Sequence, residues 1–314
     1  MGKKYFVSII TPTYNHECYI SSCINSVQRQ TYKYWELIII DDCSTDSTNQ
    51  IITQFAHKDN RIKVIKHKKN WGINKLQETY NQALRLAKGD FIAILEGDDF
   101  WPHNKLEVQI KVFKDKKVVM SYGNWIMTDQ NGLSIYLKHY KKFKKHFLNN
   151  IPVGSILFNF LTLHFDIGSQ TVIFRKSALV KIGGFKSDKN YPFIDLPTYL
   201  SMSLVGEFAY INKTLGYYRR SAQSSWFNFA VKSKEMGRKE IKNCVNNFIK
   251  YKAKNIDKLV NWEEIEKKQS LYLFERRLTY FIRKRLNQSL FKKDLVSIFL
   301  KKIGLIKNKH QLTH

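Results

Sequence analysis

The sequence predicts an α/β protein with a mostly parallel, doubly wound sheet flanked by helices and followed by a helical C-terminal region. Three observations carry this prediction. Short apolar runs alternate four times with segments of helical length, which is typical of βαβ units with right-handed crossovers. Two of the runs end in clustered acids. From residue 228 the chain is almost free of Gly and Pro and carries apolar residues at helical spacing.

The length sets the domain organisation. A chain of 314 residues can bury a large core, and we expect one α/β domain of roughly 200–230 residues with an appendage. The change in composition places the boundary near residue 227. The two predicted regions are therefore residues 1–227 and a basic helical region, residues 228–314.

The first half contains four predicted strands. Each is rich in Val, Ile, Leu or Phe, which favours strands buried on both faces of a parallel sheet. They span residues 6–11, 35–40, 62–66 and 91–95, and Pro12 is expected to end the first. Helices are predicted between them at residues 17–30, 48–57 and 75–87.

The second half is less regular. Asn131-Gly132 is a hairpin signal, and Gly183-Gly184-Phe185 indicates a tight turn. The predicted strands are 118–129, 169–175 and one or two within 207–218, and the predicted helices are 104–113, 176–182 and 195–205. The segment 138–166, lysine-rich and then apolar, is interpreted as a loop with a short helix.

Charge and cysteine content narrow the function. Lys and Arg number 53 against 26 Asp and Glu, a net charge of +27 that suits nucleic acid, an acidic membrane surface or a phosphorylated substrate. The four cysteines form no CxxC pair, which favours a reducing cytosol over a zinc or disulfide framework. No signal-type segment begins the chain, and no run reaches the ~18 apolar residues of a membrane span.

The acids after the fourth strand are the strongest candidate site. Glu96-Gly97-Asp98-Asp99 should lie at the carboxyl edge of the sheet, where ligands of open α/β sheets bind. Clustered carboxylates repel one another unless a cation or hydrogen-bond donors offset them. Two interpretations stay open at this point: a metal-assisted site, and a solvated turn that caps the next helix.

Four segments in order name a family. They are VSIITPTYN at 7–15, ELIIIDDCSTDST at 36–48, NWGINKLQETYNQALRLAKGDFIAILEGDDFW at 70–101 and IGGF at 182–185. Over about residues 6–224 the chain resembles family 2 glycosyltransferases of the GT-A fold. The resemblance implies an inverting, metal-dependent hexosyltransferase that uses a nucleoside-diphosphate sugar, with UDP expected. It also implies a role in bacterial surface polysaccharide assembly, such as capsule, O-antigen or lipooligosaccharide.

The resemblance assigns roles to individual residues. Thr11, Pro12 and Tyr14 resemble the turn that lines the nucleotide base, and Asp41 the acid that accepts from its ring N–H. Asp98 and Asp99 resemble the motif that meets the ribose and a divalent ion, here Mn²⁺ or Mg²⁺, because hard cations prefer oxygen ligands. Glu96 departs from the usual aspartate of that motif.

The catalytic base implied by the resemblance is Asp195. An inverting displacement needs a carboxylate to take the acceptor's proton as the new bond forms. Ile194 stands where relatives carry a glutamate, and Asp195 is also a plausible helix cap. Ser221 stands where relatives often carry a metal-binding histidine. Two expectations stay open: the metal relies more on water and on Asp99, or Arg219 and Arg220 meet the diphosphate directly with forked donors.

Two alternatives concern partners. The first is a basic protein that binds nucleic acid or another polyanion and has no transferase activity. The net positive charge favours this class, but the acids at two strand ends would repel a phosphate backbone. We therefore expect a glycan or lipid-linked acceptor, and no nucleic acid. Residues 228–314 could contact an anionic membrane or form a homo-oligomer, which would place a cytoplasmic enzyme at the inner membrane face.

Overall fold

The structure is a computed structural model, and it describes residues 4–140, 145–162, 166–189, 191–220, 244, 247 and 248. All of these lie within one compact unit, residues 1–260. The predicted boundary near residue 227 lies outside the described residues, as does the region 228–314 apart from residues 244, 247 and 248.

Eight strands form one sheet. They are β1 (Val7–Thr13), β2 (Trp35–Asp41), β3 (Ile62–Lys66), β4 (Phe91–Ile94), β5 (Val118–Thr128), β6 (Ser134–Lys138), β7 (Ile173–Arg175) and β8 (Glu207–Arg219). The α-helices are α1 (Ile20–Gln28), α2 (Thr48–Lys58), α3 (Leu76–Leu86), α4 (Lys105–Ile110), α5 (Lys145–Leu148), α6 (Leu157–Thr162), α7 (Lys176–Lys181) and α8 (Asp195–Met202). Short 3₁₀ turns span Ile73–Lys75, Lys111–Lys114 and Ser169–Thr171.

The first four strands pair in parallel in the order β3-β2-β1-β4. Every residue of β2 is buried, as expected for a strand covered by helices on both faces. On α1 the buried residues Ile20, Cys23, Ile24 and Val27 recur at the spacing of one helix face, and they pack into the core beneath this half of the sheet. The predicted α/β fold with a mostly parallel sheet is thus confirmed.

The second half adds antiparallel strands. The order continues β4-β7-β5-β6, with β7 antiparallel to both of its neighbours and β8 parallel to β5. The predicted hairpin at Asn131-Gly132 is confirmed, since β5 and β6 pair antiparallel across it. Within the described part of the chain, no helix is both long and apolar enough to cross a bilayer.

The prediction that Pro12 ends the first strand was wrong. β1 continues to Thr13, with Pro12 opposite Ile40. Proline lacks an N–H but keeps its carbonyl, and this carbonyl accepts a hydrogen bond from the Gly97 N–H at 3.1 Å. The strand therefore loses one donor and no acceptor.

The predicted turn at Gly183-Gly184-Phe185 is held against α3 by hydrogen bonds. Both glycines have φ of +80°, a conformation that L side chains rarely adopt. The Asn81 side chain accepts from the Phe185 N–H at 2.8 Å and donates to the Phe185 carbonyl at 3.0 Å. A Cβ on Gly184 would lie 2.3 Å from Asn81 Oδ1. Glycine is required there for both its backbone angle and its size.

Gly184→Ala should therefore destabilise the protein more than Gly132→Ala. Gly132 also has a positive φ, +88°, but its Cβ would meet no atom closer than 3.7 Å. We expect about 1–2 kcal/mol for the backbone strain in either variant, and about 1–3 kcal/mol more for the overpacking at Gly184. Urea unfolding measures both free energies, and equal losses would contradict the proposed clash.

Candidate active site

The ends of three parallel strands bring the candidate residues to one edge of the sheet. Thr13 is opposite Asp41 in the register of β1 and β2. On the other side of β1, the Leu95 N–H donates to the Ile10 carbonyl at 3.1 Å, so that β4 ends beside β1. The two acidic loops predicted from the sequence therefore flank the end of β1.

The acidic loop after β4 holds two buried carboxylates side by side. Asp99 Oδ1 accepts a hydrogen bond from the Arg219 N–H at 2.8 Å. Asp98 is almost fully buried, and Glu96 Oε2 is a buried oxygen with no hydrogen-bond partner among the described residues. Burial, followed by the negative charges of Asp98 and Glu96, raises the pKa of Asp99 well above its usual value. The loop therefore concentrates acidic groups whose charged forms burial and mutual repulsion disfavour, with Arg219 as the cation that opposes this effect at Asp99.

Gly97 lets this loop lie against the end of β1. A Cβ at this position would lie 2.6 Å from Thr13 Oγ1 and 2.8 Å from His16 Nδ1. Those two side-chain atoms are themselves 3.2 Å apart. The glycine between the acids is thus explained by close packing.

The donor set fits a hard divalent cation. Asp98 and one oxygen of Asp99 supply carboxylate oxygens, the ligands that Mg²⁺ and Mn²⁺ prefer. Among the described residues, no group of three or more His, Cys, Asp and Glu side chains is arranged to hold a metal. Mg²⁺ is commonly bound by one or two carboxylates plus substrate phosphates and water, and two aspartates satisfy that requirement.

The predicted pocket for the nucleotide base, at the ends of β1 and β2, contains buried polar groups with hydrogen-bond partners and one buried polar group without a described partner. The Asp41 carboxylate is buried and accepts from the Ser44 N–H at 3.0 Å and from Asn49 Nδ2 at 3.0 Å. The buried Thr11 hydroxyl has no hydrogen-bond partner among the described residues. Pro12 is half-buried, and the Tyr14 ring is exposed.

Asp42 stabilises a neighbouring loop. Its carboxylate accepts from the Trp71 and Gly72 N–H groups, both at 2.8 Å, and lies 2.7 Å from His67 Nδ1. The His67 ring stacks on Trp71 with 3.8 Å between the ring centroids. Asp46 similarly accepts from the Thr48 N–H at the start of α2. Both acids thus make local cap and turn contacts that explain their presence after β2.

Asp195 is the first residue of α8, where a carboxylate is favoured by the helix dipole. The Tyr191 hydroxyl donates a hydrogen bond to Asp195 Oδ1 at 2.9 Å. Burial raises the pKa of Asp195 above its usual value, and hydrogen bonds from Leu196 and Tyr191 oppose that rise. A carboxylate in such surroundings is a stronger proton acceptor than one in water.

Two buried tyrosines, Tyr80 and Tyr199, interact electrostatically with both Asp195 and Glu96 of the acidic loop. The Tyr80 hydroxyl donates to Glu96 Oε1 at 2.9 Å. Burial is the largest cause of the raised pKa of Tyr80 and of Tyr199, and the charges of both Glu96 and Asp195 raise each pKa further. The two carboxylates therefore act on the same pair of phenols. Burial also raises the pKa of Glu96, to about 7.

Arg219 holds the acidic loop against β8. Its Nε donates to the Asp98 carbonyl at 2.9 Å, and its Nη1 donates to the Gln130 carbonyl at 2.7 Å. The guanidinium lies over the rings of Tyr19 and Phe100, 5.0 Å from each centroid. The side chain is buried, whereas the next residue, Arg220, is exposed. Ser221 lies outside the described residues.

A cavity of about 660 Å³ lies beside this site, between α1 and the turn at residues 100–103. Neither Asp98, Asp99 nor Asp195 contributes to its lining. The lining residues are Cys18, Ser21, Ser22, Asn25, Ser26, Arg29, Phe100, Trp101 and His103.

Sequence reasoning missed several residues that build the site. Tyr191 and Tyr80 carry no motif, and their pairing with Asp195 and Glu96 depends on tertiary contacts. Gln77 and Asn81 offered a weak signal, because amides four residues apart lie on one face of a helix, and both donate to the Phe185 carbonyl.

The fold is that of the GT-A glycosyltransferases. A structure of S. aureus TarS, residues 1–349, superimposes with a TM-score of 0.58, covering 95% of this chain and 79% of that one at 19% identity. TarS in complex with UDP-GlcNAc gives 0.56, covering 84% and 88% at 20% identity. The mannosyltransferase PcManGT from Pyrobaculum calidifontis, in complex with GDP-Man and Mn²⁺, gives 0.55 at 15% identity, covering 88% and 83%.

The chain belongs to glycosyl transferase family 2, whose model matches residues 8–182. It is 31% identical to TuaG of Bacillus subtilis, a candidate teichuronic acid biosynthesis glycosyltransferase, over 71% of this chain and 87% of that one. It is 41% identical to the Escherichia coli β-1,3-glucosyltransferase WfgD over 41% of this chain and 49% of that one. The predicted family is confirmed. The alternative of a polyanion binder without transferase activity finds no support.

Proposed function

We infer that this glycosyltransferase moves a hexose, with inversion, from UDP-sugar to an acceptor hydroxyl in surface polysaccharide assembly. The observation that carries the proposal is the pair of buried carboxylates, Asp98 and Asp99, in the loop after β4, where the charge of Asp98 helps to raise the pKa of Asp99. A divalent cation held by these two aspartates would offset their negative charge. UDP is favoured because TarS is known in complex with UDP-GlcNAc and with UDP, and because WfgD is named as a glucosyltransferase that uses UDP-Glc.

Asp98 and Asp99 would hold Mn²⁺ or Mg²⁺, with Asp98 also directed at the ribose. When bound, the ion supplies Lewis-acid neutralisation of the departing diphosphate. The Arg219 N–H on Asp99 Oδ1 orients that carboxylate, and its guanidinium fixes the loop backbone at Asp98. Arg219 is thus a positioning residue, and exposed Arg220 is the better candidate for direct contact with the diphosphate.

The nucleotide base would lie against Thr11, Pro12 and Tyr14. Asp41 would accept from the ring N–H through Oδ2, which takes one described hydrogen bond, from Asn49. A buried acceptor of this kind discriminates strongly, because a base without the N–H would leave it unpaired.

Asp195 would take the proton from the acceptor hydroxyl while that oxygen attacks the sugar carbon and the bond to the diphosphate breaks. Its raised pKa favours proton uptake. The acceptor is proposed to be a glycan or lipid-linked intermediate, since WfgD is named for a diphosphoundecaprenol acceptor. Residues 228–314 are proposed to contact an anionic membrane or to form oligomers, at the cytoplasmic face.

Thermal unfolding with a panel of nucleotide-sugars, with Mn²⁺ or with EDTA, tests the donor proposal. A ligand that binds the folded state raises the unfolding temperature by mass action. We expect a UDP-sugar to stabilise the protein in the presence of the metal and to lose this effect in EDTA. Equal stabilisation in EDTA would contradict the metal site, and stabilisation by another nucleotide would contradict UDP.

Tyr191→Phe should shift the pH dependence of transfer. The Tyr191 hydroxyl donates to Asp195 Oδ1 and thereby lowers the pKa of this acid, so its loss should raise that pKa further. The base acts only when deprotonated. The acid limb of kcat/KM should therefore move to higher pH, with most of the rate retained above it. An unchanged limb would contradict the assignment of Asp195.

A further inference from the structure

Three residues of the C-terminal region lie beside the helix that carries Asp195. Cys244, Asn247 and Phe248 are helical, and they belong to the same compact unit as the sheet. Together with residues of α8 and residues 186–189 they line a cavity of about 410 Å³. The Cys244 side chain is buried. The C-terminal region therefore contributes side chains to the surroundings of α8.

Asn247 donates a hydrogen bond to the loop that precedes α8. Its Nδ2 lies 2.9 Å from Asp188 Oδ2. Asp188 and Tyr191 are joined by two reciprocal backbone hydrogen bonds, in which the Tyr191 N–H donates at 2.9 Å and the Asp188 N–H at 3.2 Å. Hydrogen bonds to a carboxylate are stronger than those between neutral groups. The Asn247 amide therefore holds Asp188 where it pairs with the Tyr191 backbone.

Tyr191 is the link between this loop and the proposed base. Its side chain is buried, and its hydroxyl donates to Asp195 Oδ1 at 2.9 Å. A side-chain hydrogen bond is lost once the two heavy atoms are about 3.6 Å apart, so a small displacement of the Tyr191 backbone is enough to weaken it. Three sets of contacts thus lead from Asn247 to the Asp195 carboxylate.

Other titratable groups also face Asp195. Those that interact with it electrostatically come from α3, α8, the C-terminal region and the segment before β7, and they are Tyr80, Tyr199, Cys244 and Asp166. Burial raises the pKa of Tyr80 and of Tyr199, and it raises the pKa of Cys244 to about 12, so these three are neutral at neutral pH. Tyr191 differs because its hydrogen bond lowers the pKa of Asp195.

We propose that Asn247 is a positioning residue for the catalytic base, so that the C-terminal region forms part of the active site. By holding Asp188, it keeps the Tyr191 hydroxyl aligned on Asp195 Oδ1. The base is thereby supported from outside residues 8–182, which the family model matches. The inference rests on the proposed function, because it takes Asp195 as the base.

The pH dependence of UDP release tests this role. The probe is the UDP-sugar that thermal unfolding selects, with Mn²⁺ present and water as the acceptor. Asn247→Ala is compared with Tyr191→Phe and with the double variant. The matched control is Gln28→Ala, because Gln28 Nε2 also donates to a carboxylate, Asp59 Oδ2 at 3.1 Å, but does so at the end of α1. Thermal unfolding checks that every variant is folded, and Asn247→Ser replaces Asn247→Ala if the latter is not.

We expect Asn247→Ala to move the acid limb of the rate to higher pH, in the same direction as Tyr191→Phe. A weaker hydrogen bond to Asp195 leaves more of the base protonated, which should lower the rate on that limb about two- to tenfold. Because both substitutions act on one hydrogen bond, the double variant should match Tyr191→Phe alone. Gln28→Ala should match wild type.

A wild-type acid limb in Asn247→Ala, with the limb of Tyr191→Phe shifted, would overturn this inference alone. Additive shifts in the double variant would also overturn it, since Asn247 would then act by another route. Unshifted limbs in both single variants, or no UDP release by wild type, would contradict the proposed function and this inference with it.

Discussion

Replacing Asp195 by asparagine should lower the rate of sugar transfer about 10²–10⁴-fold while UDP-sugar affinity stays close to that of wild type. Asparagine has the shape of aspartate and can accept the hydrogen bond from Tyr191, so the start of α8 should be preserved. It cannot take a proton from the acceptor hydroxyl. Transfer kinetics and donor binding, measured on the same preparation, separate the two effects.

Glu78→Gln is the matched control for that variant. Glu78 is an exposed acid in the first turn of α3, as Asp195 is in the first turn of α8, so both substitutions remove a favourable charge from a helix N-terminus. We expect Glu78→Gln to transfer at the wild-type rate. Normal transfer by Asp195→Asn would show that another group takes the proton.

Asp99→Asn should abolish the stimulation of transfer by Mn²⁺ and lower the rate about 10²-fold or more, because the ion's neutralisation of the departing diphosphate amounts to several kcal/mol. The amide oxygen can still accept from the Arg219 N–H, so the loop should keep its position. EDTA should reduce wild-type activity to a similar level. Titration of the rate with Mn²⁺ measures the change in metal dependence.

Glu96→Gln separates ligation from the mere loss of a buried acid. Glu96 belongs to the same loop, but its Oε1 already accepts from the Tyr80 hydroxyl, a bond that glutamine can keep. We expect this variant to retain its Mn²⁺ stimulation. Loss of stimulation in Glu96→Gln together with its retention in Asp99→Asn would reverse the proposed assignment.

Local pattern was sufficient for the parallel half of the fold. β2 and β3 begin where the sequence predicts, because their apolar runs are bounded by turns and charged residues. The same reasoning predicts a strand at residues 169–175 but not that its last three residues, β7, insert antiparallel between β4 and β5. Strand order in that half depends on long-range pairing, which periodicity does not encode.

The site was predictable to a similar degree. Acids at strand ends indicated which edge of the sheet binds ligand, and the family resemblance supplied Asp195. Neither the strand-end acids nor the family resemblance could show that the Arg219 guanidinium donates its hydrogen bonds to the backbone carbonyls of Asp98 and Gln130. Neither could show that Tyr191 donates to Asp195, because such contacts arise only when distant segments pack together.

Release of UDP from a UDP-sugar by the purified full-length chain tests the central claim most directly. The account predicts release that EDTA stops and added Mn²⁺ or Mg²⁺ restores, with one sugar donor strongly preferred. It also predicts that Asp99→Asn releases UDP slowly at any metal concentration. Release that proceeds unchanged in EDTA, or in Asp99→Asn, would contradict the account.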